Sequence, residues 1–127
     1  MKTIDVRQSG SLKDGYVKFY IIDERGRSAS EMSAIDDTIW FYNRLIVNRD
    51  MRDRGYGSIL LSKTVEFCKV NNLNLLCGVN PYGDLDFDQL RDFYIKHGFQ
   101  ETENLDCLEL KFADKATTGG YSNESND

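Results

Sequence analysis

Between residues 38 and 79 a strand pattern, a helical pattern and a second strand pattern follow one another with short breaks. No other feature restricts the fold as much. Residues 38–48 are dense in β-branched and aromatic side chains (Ile39, Trp40, Phe41, Tyr42, Ile46, Val47), the composition of a strand. The run is nearly continuous rather than alternating, which predicts a central strand covered on both faces. Residues 57–70 repeat apolar positions at helical spacing: Leu60, Leu61, Thr64, Val65, Phe67 and Cys68 make one face, and Lys63, Glu66 and Lys69 recur on the other. Residues 73–79 then fit a short buried strand. A strand–helix–strand unit of this length implies parallel pairing with a right-handed crossover.

The flanking segments complete an α+β pattern. Upstream, residues 3–7 and 16–23 read as strands, with Gly10, Asp14 and Gly15 marking a turn between them. Residues 24–37 fit either a hairpin connection with a weak strand or an irregular loop. Downstream, the only proline, Pro81, lies in a loop, and a second helix is expected over residues 86–97, with Leu90, Phe93 and Tyr94 on one side and Gly98 as its stop. Residues 99–104 and 106–112 resemble a final strand pair. Antiparallel strands first and a strand–helix–strand unit later predict a mixed sheet. Residues 113–127 offer almost nothing apolar to bury, so a disordered tail is expected after a single domain of residues 1–112.

Composition removes several function classes. With 127 residues, 29% of them charged and 40% hydrophobic, the chain falls in the ordinary soluble globular class. No segment approaches the ~20 apolar residues of a membrane span, and the first residues lack the apolar stretch of a signal peptide, so a cytoplasmic location is expected. Three widely spaced cysteines (Cys68, Cys77, Cys107) and one histidine (His97) suggest neither a disulfide framework nor a metal site. The net charge of −5 disfavours general nucleic-acid binding and suits a cationic partner.

The chemistry concentrates where the first strand of the unit meets its helix. Leu45-Ile46-Val47 closes the strand, Arg52-Asp53-Arg54-Gly55-Tyr56-Gly57 forms a polar glycine loop, and Ser58 leads into the helix. The first turn of a helix has unpaired N–H groups and a partial positive charge, and glycines let an anion approach its backbone closely. The loop is not a Walker motif, since no Gly-Lys-Ser/Thr follows. It is not a dinucleotide fingerprint either, since Leu60 stands where a third glycine is needed.

Arg52, Gly55 and Gly57 match the Gln/Arg-x-x-Gly-x-Gly/Ala motif of the GNAT superfamily of N-acyltransferases. Phe93-Tyr94-Ile95-Lys96-His97-Gly98-Phe99 matches that family's aromatic-Tyr pair before Gly-Phe. The chain resembles a compact member of this superfamily. The resemblance implies a mixed, mostly antiparallel sheet whose central parallel strand pair splays around acetyl-CoA, with helices on both faces. It implies that the amides of Arg52, Asp53, Arg54, Gly55, Tyr56, Gly57 and Ser58 bind the cofactor diphosphate and that Leu45, Ile46 and Val47 hold the pantetheine arm. A bulge near Asn43 or Arg44 would cause the splay. Tyr94 takes the position of the general acid, which protonates the departing thiolate.

No acid lies within residues 39–43 to serve as the base, and Asp36 and Asp37 just upstream could act only through water. Asp53 inside the diphosphate loop and Phe87, where many relatives have asparagine, depart from the family pattern. The N-terminal part is short for the superfamily, with little room for the helices that often build an acceptor site. The implied function is acetyl transfer from acetyl-CoA to a primary amine, on a protein lysine or a small polyamine, by direct attack in a ternary complex. The protein would act as a monomer or homodimer, without a membrane. The alternative is a non-catalytic GNAT-like module that binds a protein partner with or without CoA.

Overall fold

The computed structural model describes residues 4–51, 54–81, 83 and 85–113. Among the described residues seven strands form one sheet: β1 (Arg7–Ser11), β2 (Tyr16–Asp23), β3 (Gly26–Ala34), β4 (Ile39–Ile46), β5 (Asn74–Gly78), β6 (Gln100–Glu101) and β7 (Cys107–Lys111). Helix α1 (Tyr56–Val70) joins β4 to β5, and α2 (Phe87–Lys96) follows β5. The order across the sheet is β1-β2-β3-β4-β5-β7-β6. Only β4 and β5 run parallel; the other neighbouring strands are antiparallel. This is the expected α+β fold on a mixed sheet.

The first strand lies later than the sequence suggests, at Arg7–Ser11 rather than residues 3–7. It contains Gly10, which reads as a turn residue. Gly10 adopts φ +85°, and a Cβ there would stand 2.1 Å from the Tyr16 carbonyl oxygen, so the pairing of β1 with β2 requires glycine at this point. The ambiguous segment 24–37 contains a regular nine-residue strand, β3. Its inward residues include Ser28 and Ser30, so its buried face is partly polar and an apolar alternation is hard to see. Both hydroxyls are paired: Ser30 Oγ lies 2.7 Å from Thr64 Oγ1 and 2.5 Å from Tyr42 Oη, and Ser28 Oγ accepts from the Asn48 N–H at 2.9 Å. Buried polar groups are tolerated on this condition.

Strand register fixes which residues share a face. Val17 pairs Met32, Met32 pairs Tyr42, Tyr42 pairs Cys77 and Cys77 pairs Leu108, so these five lie on one side of the sheet. Helix α1 packs on that side through Thr64 and through Cys68, whose thiol approaches Met32 Sδ. Helix α2 packs there too, its Tyr94 ring meeting Tyr42 edge to face with centroids 6.1 Å apart. Both crossovers step the same way across the sheet, and right-handed connections then put both helices on the same face.

The described residues therefore do not have helices on both faces, as the resemblance implied. Nor is β4 covered on both sides: Trp40 and Tyr42 are buried against the helices, whereas Phe41, pointing the other way, is 40% exposed. The covered side carries the core, with Trp40, Leu60, Leu61, Leu75 and Leu108 almost inaccessible. Each such side chain contributes roughly 1.5–3 kcal/mol by burial. The tail expected over residues 113–127 lies, except for Ala113, outside the described residues.

Candidate functional site

The parallel ladder is short. It runs from Ile39 opposite Asn74 to Tyr42 opposite Cys77 and stops, while β4 continues alongside β3 as far as Ile46. The two central strands thus fork after Tyr42 and Cys77. The cause is local: Met32 pairs Tyr42 but Glu31 pairs Arg44, which leaves Asn43 as an extra residue in β4. A bulge of this kind bends its strand and increases the twist. Its position is the one expected near Asn43 or Arg44. It also resets the alternation, so that Leu45, paired with Ser30, faces the helices again.

A cavity of about 540 Å³ opens at the fork. Leu45, Ile46 and Val47 form one wall, Gly55, Tyr56 and Gly57 another, and Leu90, Phe93 and Tyr94 of α2 a third. Seven of the expected site residues therefore meet in one place. Arg54 and Ser58 are exposed and are not part of the wall, and Arg52 and Asp53 lie outside the described residues.

The two helix N-termini differ in a way that matters for an anion. At α2 the Asp86 side chain accepts from the Gln89 N–H at 2.9 Å and the Gln89 side chain returns a bond to the Asp86 N–H, a complete capping box. At α1 the N-cap is Gly55, with φ +76°, no side-chain cap and no acidic residue in the first turn. The first intrahelical bond is donated by Ile59 to the Gly55 carbonyl at 3.0 Å. The N–H groups of Tyr56, Gly57 and Ser58 therefore have no acceptor within the helix. These amides and the dipole suit a diphosphate, and the apolar walls at Leu45, Val47 and Phe93 suit the uncharged arm of a CoA thioester. The residues present thus fit acetyl-CoA.

Tyr56 is anchored from outside the loop: its hydroxyl donates to Asp23 Oδ2 at 3.2 Å. A bond from the Arg25 N–H, chiefly, together with this hydroxyl and the charges of Arg25 and Arg54, lowers the Asp23 carboxyl below its ordinary value. Asp23 at the end of β2 was not legible as part of the site, because its contact with Tyr56 spans 33 residues of sequence.

Tyr94 is 4% exposed and packed among Tyr42, Phe93 and Phe99. Its hydroxyl hydrogen-bonds the Cys77 thiol, the last β5 group in the ladder, so it stands where the strands part. Burial pushes Cys77 up to about 12, which keeps it a neutral thiol. Other sequence candidates fall away from the fork. Asp36 Oδ1 accepts from the N–H groups of Thr38 and Ile39, closing a turn at the opposite end of β4, and Asp37 adjoins it. His97 Nδ1 is bonded to the Phe93 carbonyl at 2.8 Å. Met51, Asn80, Gly83 and Leu85 line the cavity without having been singled out, since loops converge there only through the fold. Among the described residues no cluster of three His, Cys, Asp or Glu side chains could hold a metal ion, and no helix is long and apolar enough to cross a membrane.

The family model described as Acetyltransferase (GNAT) domain matches residues 12–101. The chain belongs to the GNAT acetyltransferase family. The family's activity is acetyl-CoA-dependent acetylation, and this GNAT chain is an acetyltransferase. Solved structures repeat the fold at low identity. The ribosomal-protein-S18-alanine N-acetyltransferase from Escherichia coli is 15% identical with TM-score 0.63, over 86% of this chain and 76% of that one. A GNAT family acetyltransferase from Elizabethkingia anophelis with acetyl-CoA bound is 14% identical with TM-score 0.61, over 86% and 97%. The anti-CRISPR protein AcrVA5 is 18% identical with TM-score 0.56, over 76% of this chain and 99% of that one. No curated protein matches the GNAT chain by sequence.

Proposed function

We propose that this GNAT domain, taken as residues 1–112, transfers acetyl from acetyl-CoA to a primary amine, on a protein lysine or a small polyamine, by direct attack in a ternary complex. The observation that carries this reading is the fork: one cavity joins the end of β4, the uncapped N-terminus of α1 and the Tyr94 side chain. Acetyl-CoA supplies an activated acetyl thioester. The amides of Tyr56, Gly57 and Ser58 bind its diphosphate, with Arg52, Asp53, Arg54 and Gly55 completing the loop. Leu45, Ile46 and Val47 hold the pantetheine arm, and a backbone N–H of β4 polarises the thioester carbonyl.

Tyr94 is the acid. A phenol of pKa about 10 gives its proton to a thiolate whose conjugate acid lies near 8.5 only slightly uphill, so a positioned hydroxyl suffices. Its packing on three aromatic rings holds the hydroxyl at the fork, and orientation of this kind accounts for much of a transfer rate.

Thiol release from acetyl-CoA with a panel of amines tests the reading. Tyr94→Phe is expected to lower kcat at least tenfold with CoA affinity unchanged. Gly57→Trp is expected to abolish CoA binding by calorimetry: a Cβ at Gly57 meets only Val47 Cγ2 at 3.5 Å and Phe93 Cζ at 3.8 Å, so the backbone accepts it while the indole fills the cavity. Unaltered CoA binding by Gly57→Trp overturns the site. CoA binding without turnover of any amine makes the domain a binding module.

A further inference from the structure

Strand β4 contains no Asp or Glu that could take a proton from the amine. On the side of the sheet away from α1 and α2 one acid is out of place. Glu109 in β7 is 4% exposed, and among the described residues its Oε2 has no hydrogen-bond partner. A buried unpaired carboxylate is costly and asks for a reason. Register gives its position. Glu109 pairs Leu76 of β5, and Leu76 pairs Phe41 of β4, so the three make one rung on the face away from the helices.

The next rung on that face lies about 7 Å along β5. It belongs to Gly78, which has no side chain, and it stands beyond the last β4–β5 pair, where the fork begins. From this side the fork is flanked by Gly78 and the bulged Asn43, with no helix over it among the described residues. The acyl donor occupies the helix side in the reading above, which leaves this side for the acceptor.

We propose that Glu109 receives the proton of the incoming ammonium, relayed by water from the fork. This assignment rests on the acetyltransferase reading. A polyamine or lysine amine is protonated at neutral pH and must lose a proton before it attacks. That proton passes to a Glu109 carboxylate oxygen and then to solvent. The nitrogen lone pair forms the C–N bond, the C–S bond breaks, and the thiolate takes the Tyr94 proton. The second nitrogen proton returns to Tyr94 through water.

The surroundings strengthen this carboxylate as a base. Burial raises the Glu109 carboxyl above its ordinary value, and Lys111 on its own strand opposes this. Cys107, two residues away, is a thiol itself raised by burial. From β6 the facing residue is Gln100, from β5 they are Asn74, Leu76 and Gly78, and from β4 Phe41, none of them charged. Arg44 is committed to Glu31 at 3.4 Å. A desolvated acid is a stronger base than an exposed one, as proton abstraction needs.

The test uses Glu109→Gln in the full chain, with acetyl-CoA and, as acceptors, spermidine and a lysine-containing peptide, from pH 6 to 9. CoA affinity by calorimetry is expected within twofold of wild type, with kcat lowered at least thirtyfold and the acidic limb of the kcat/KM profile lost. A readout apart from activity is melting without ligand. Because the folded-state pKa is raised, the stability Glu109 contributes is fully present below its unfolded value and is lost as pH rises through the folded one. Glu109→Gln should therefore melt higher relative to wild type at pH 8 than at pH 5. If Glu109→Gln fails to fold, Glu109→Asp is judged on the same pH profile. Wild-type rates with an unchanged profile in the variant overturn the base assignment and leave the acetyltransferase reading standing. Wild-type protein that binds CoA and turns over neither acceptor overturns both.

Discussion

At the scale of single residues, Gly55 separates backbone demands from side-chain demands. A Cβ there meets nothing within 4 Å, yet φ is +76°, a conformation L side chains rarely adopt. Gly55→Ala is therefore expected to fold, to lose about 1 kcal/mol by thermal melting, and to bind CoA more weakly by calorimetry as the loop relaxes. The thiols give a second prediction. Cys68 and Cys77 are both pushed up to about 12 by burial, and Cys107 is raised less. At pH 8 only about one in ten thousand of the first two is thiolate. An alkylating reagent read by mass spectrometry should modify Cys107 first, and Cys68 and Cys77 only on unfolding. The sequence identified Tyr94 through its motif. Glu109 was invisible there, because an acid in a short strand reads as solvent-facing and its burial arises only in the fold.

At the scale of elements, the bulge at Asn43 and the uncapped α1 make the site, and they differ in how they can be read. Deleting Asn43 would leave Met32 opposite Tyr42 and Glu31 opposite Arg44, so every side chain keeps its face and only the bend goes. The variant is expected to unfold cooperatively at or above the wild-type midpoint but to bind CoA at least tenfold more weakly, with calorimetry as the check. The strand–helix–strand unit was legible because glycine loops, helical period and β-branched runs are local signals. Strand β3 was not, since Ser28 and Ser30 face inward and find partners on α1 and in the loop after β4. Strand β1 was placed too early because Gly10 looks the same in a turn as in a strand that passes close to the Tyr16 carbonyl.

At the scale of the whole molecule, charge should show in kinetics more than in fold. With net charge −5 at neutral pH, the chain attracts a cationic amine over a distance that salt shortens. The kcat/KM for spermidine should fall as ionic strength rises from about 0.02 to 0.2 M, while that for a small neutral nucleophile should stay level. Which face each helix takes was not legible from composition. The continuous apolar run of β4 looked like a strand buried on both sides, yet only alternate residues of it meet the helices.

The margins of this sheet have a separate consequence. One margin is β1, five mostly exposed residues interrupted by a glycine of positive φ; the other is β6, two residues long. A strand from another chain adds most readily to a long, flat, regular border. Neither border here is one, so a sheet whose helices α1 and α2 both lie on one face still offers little template for fibril growth.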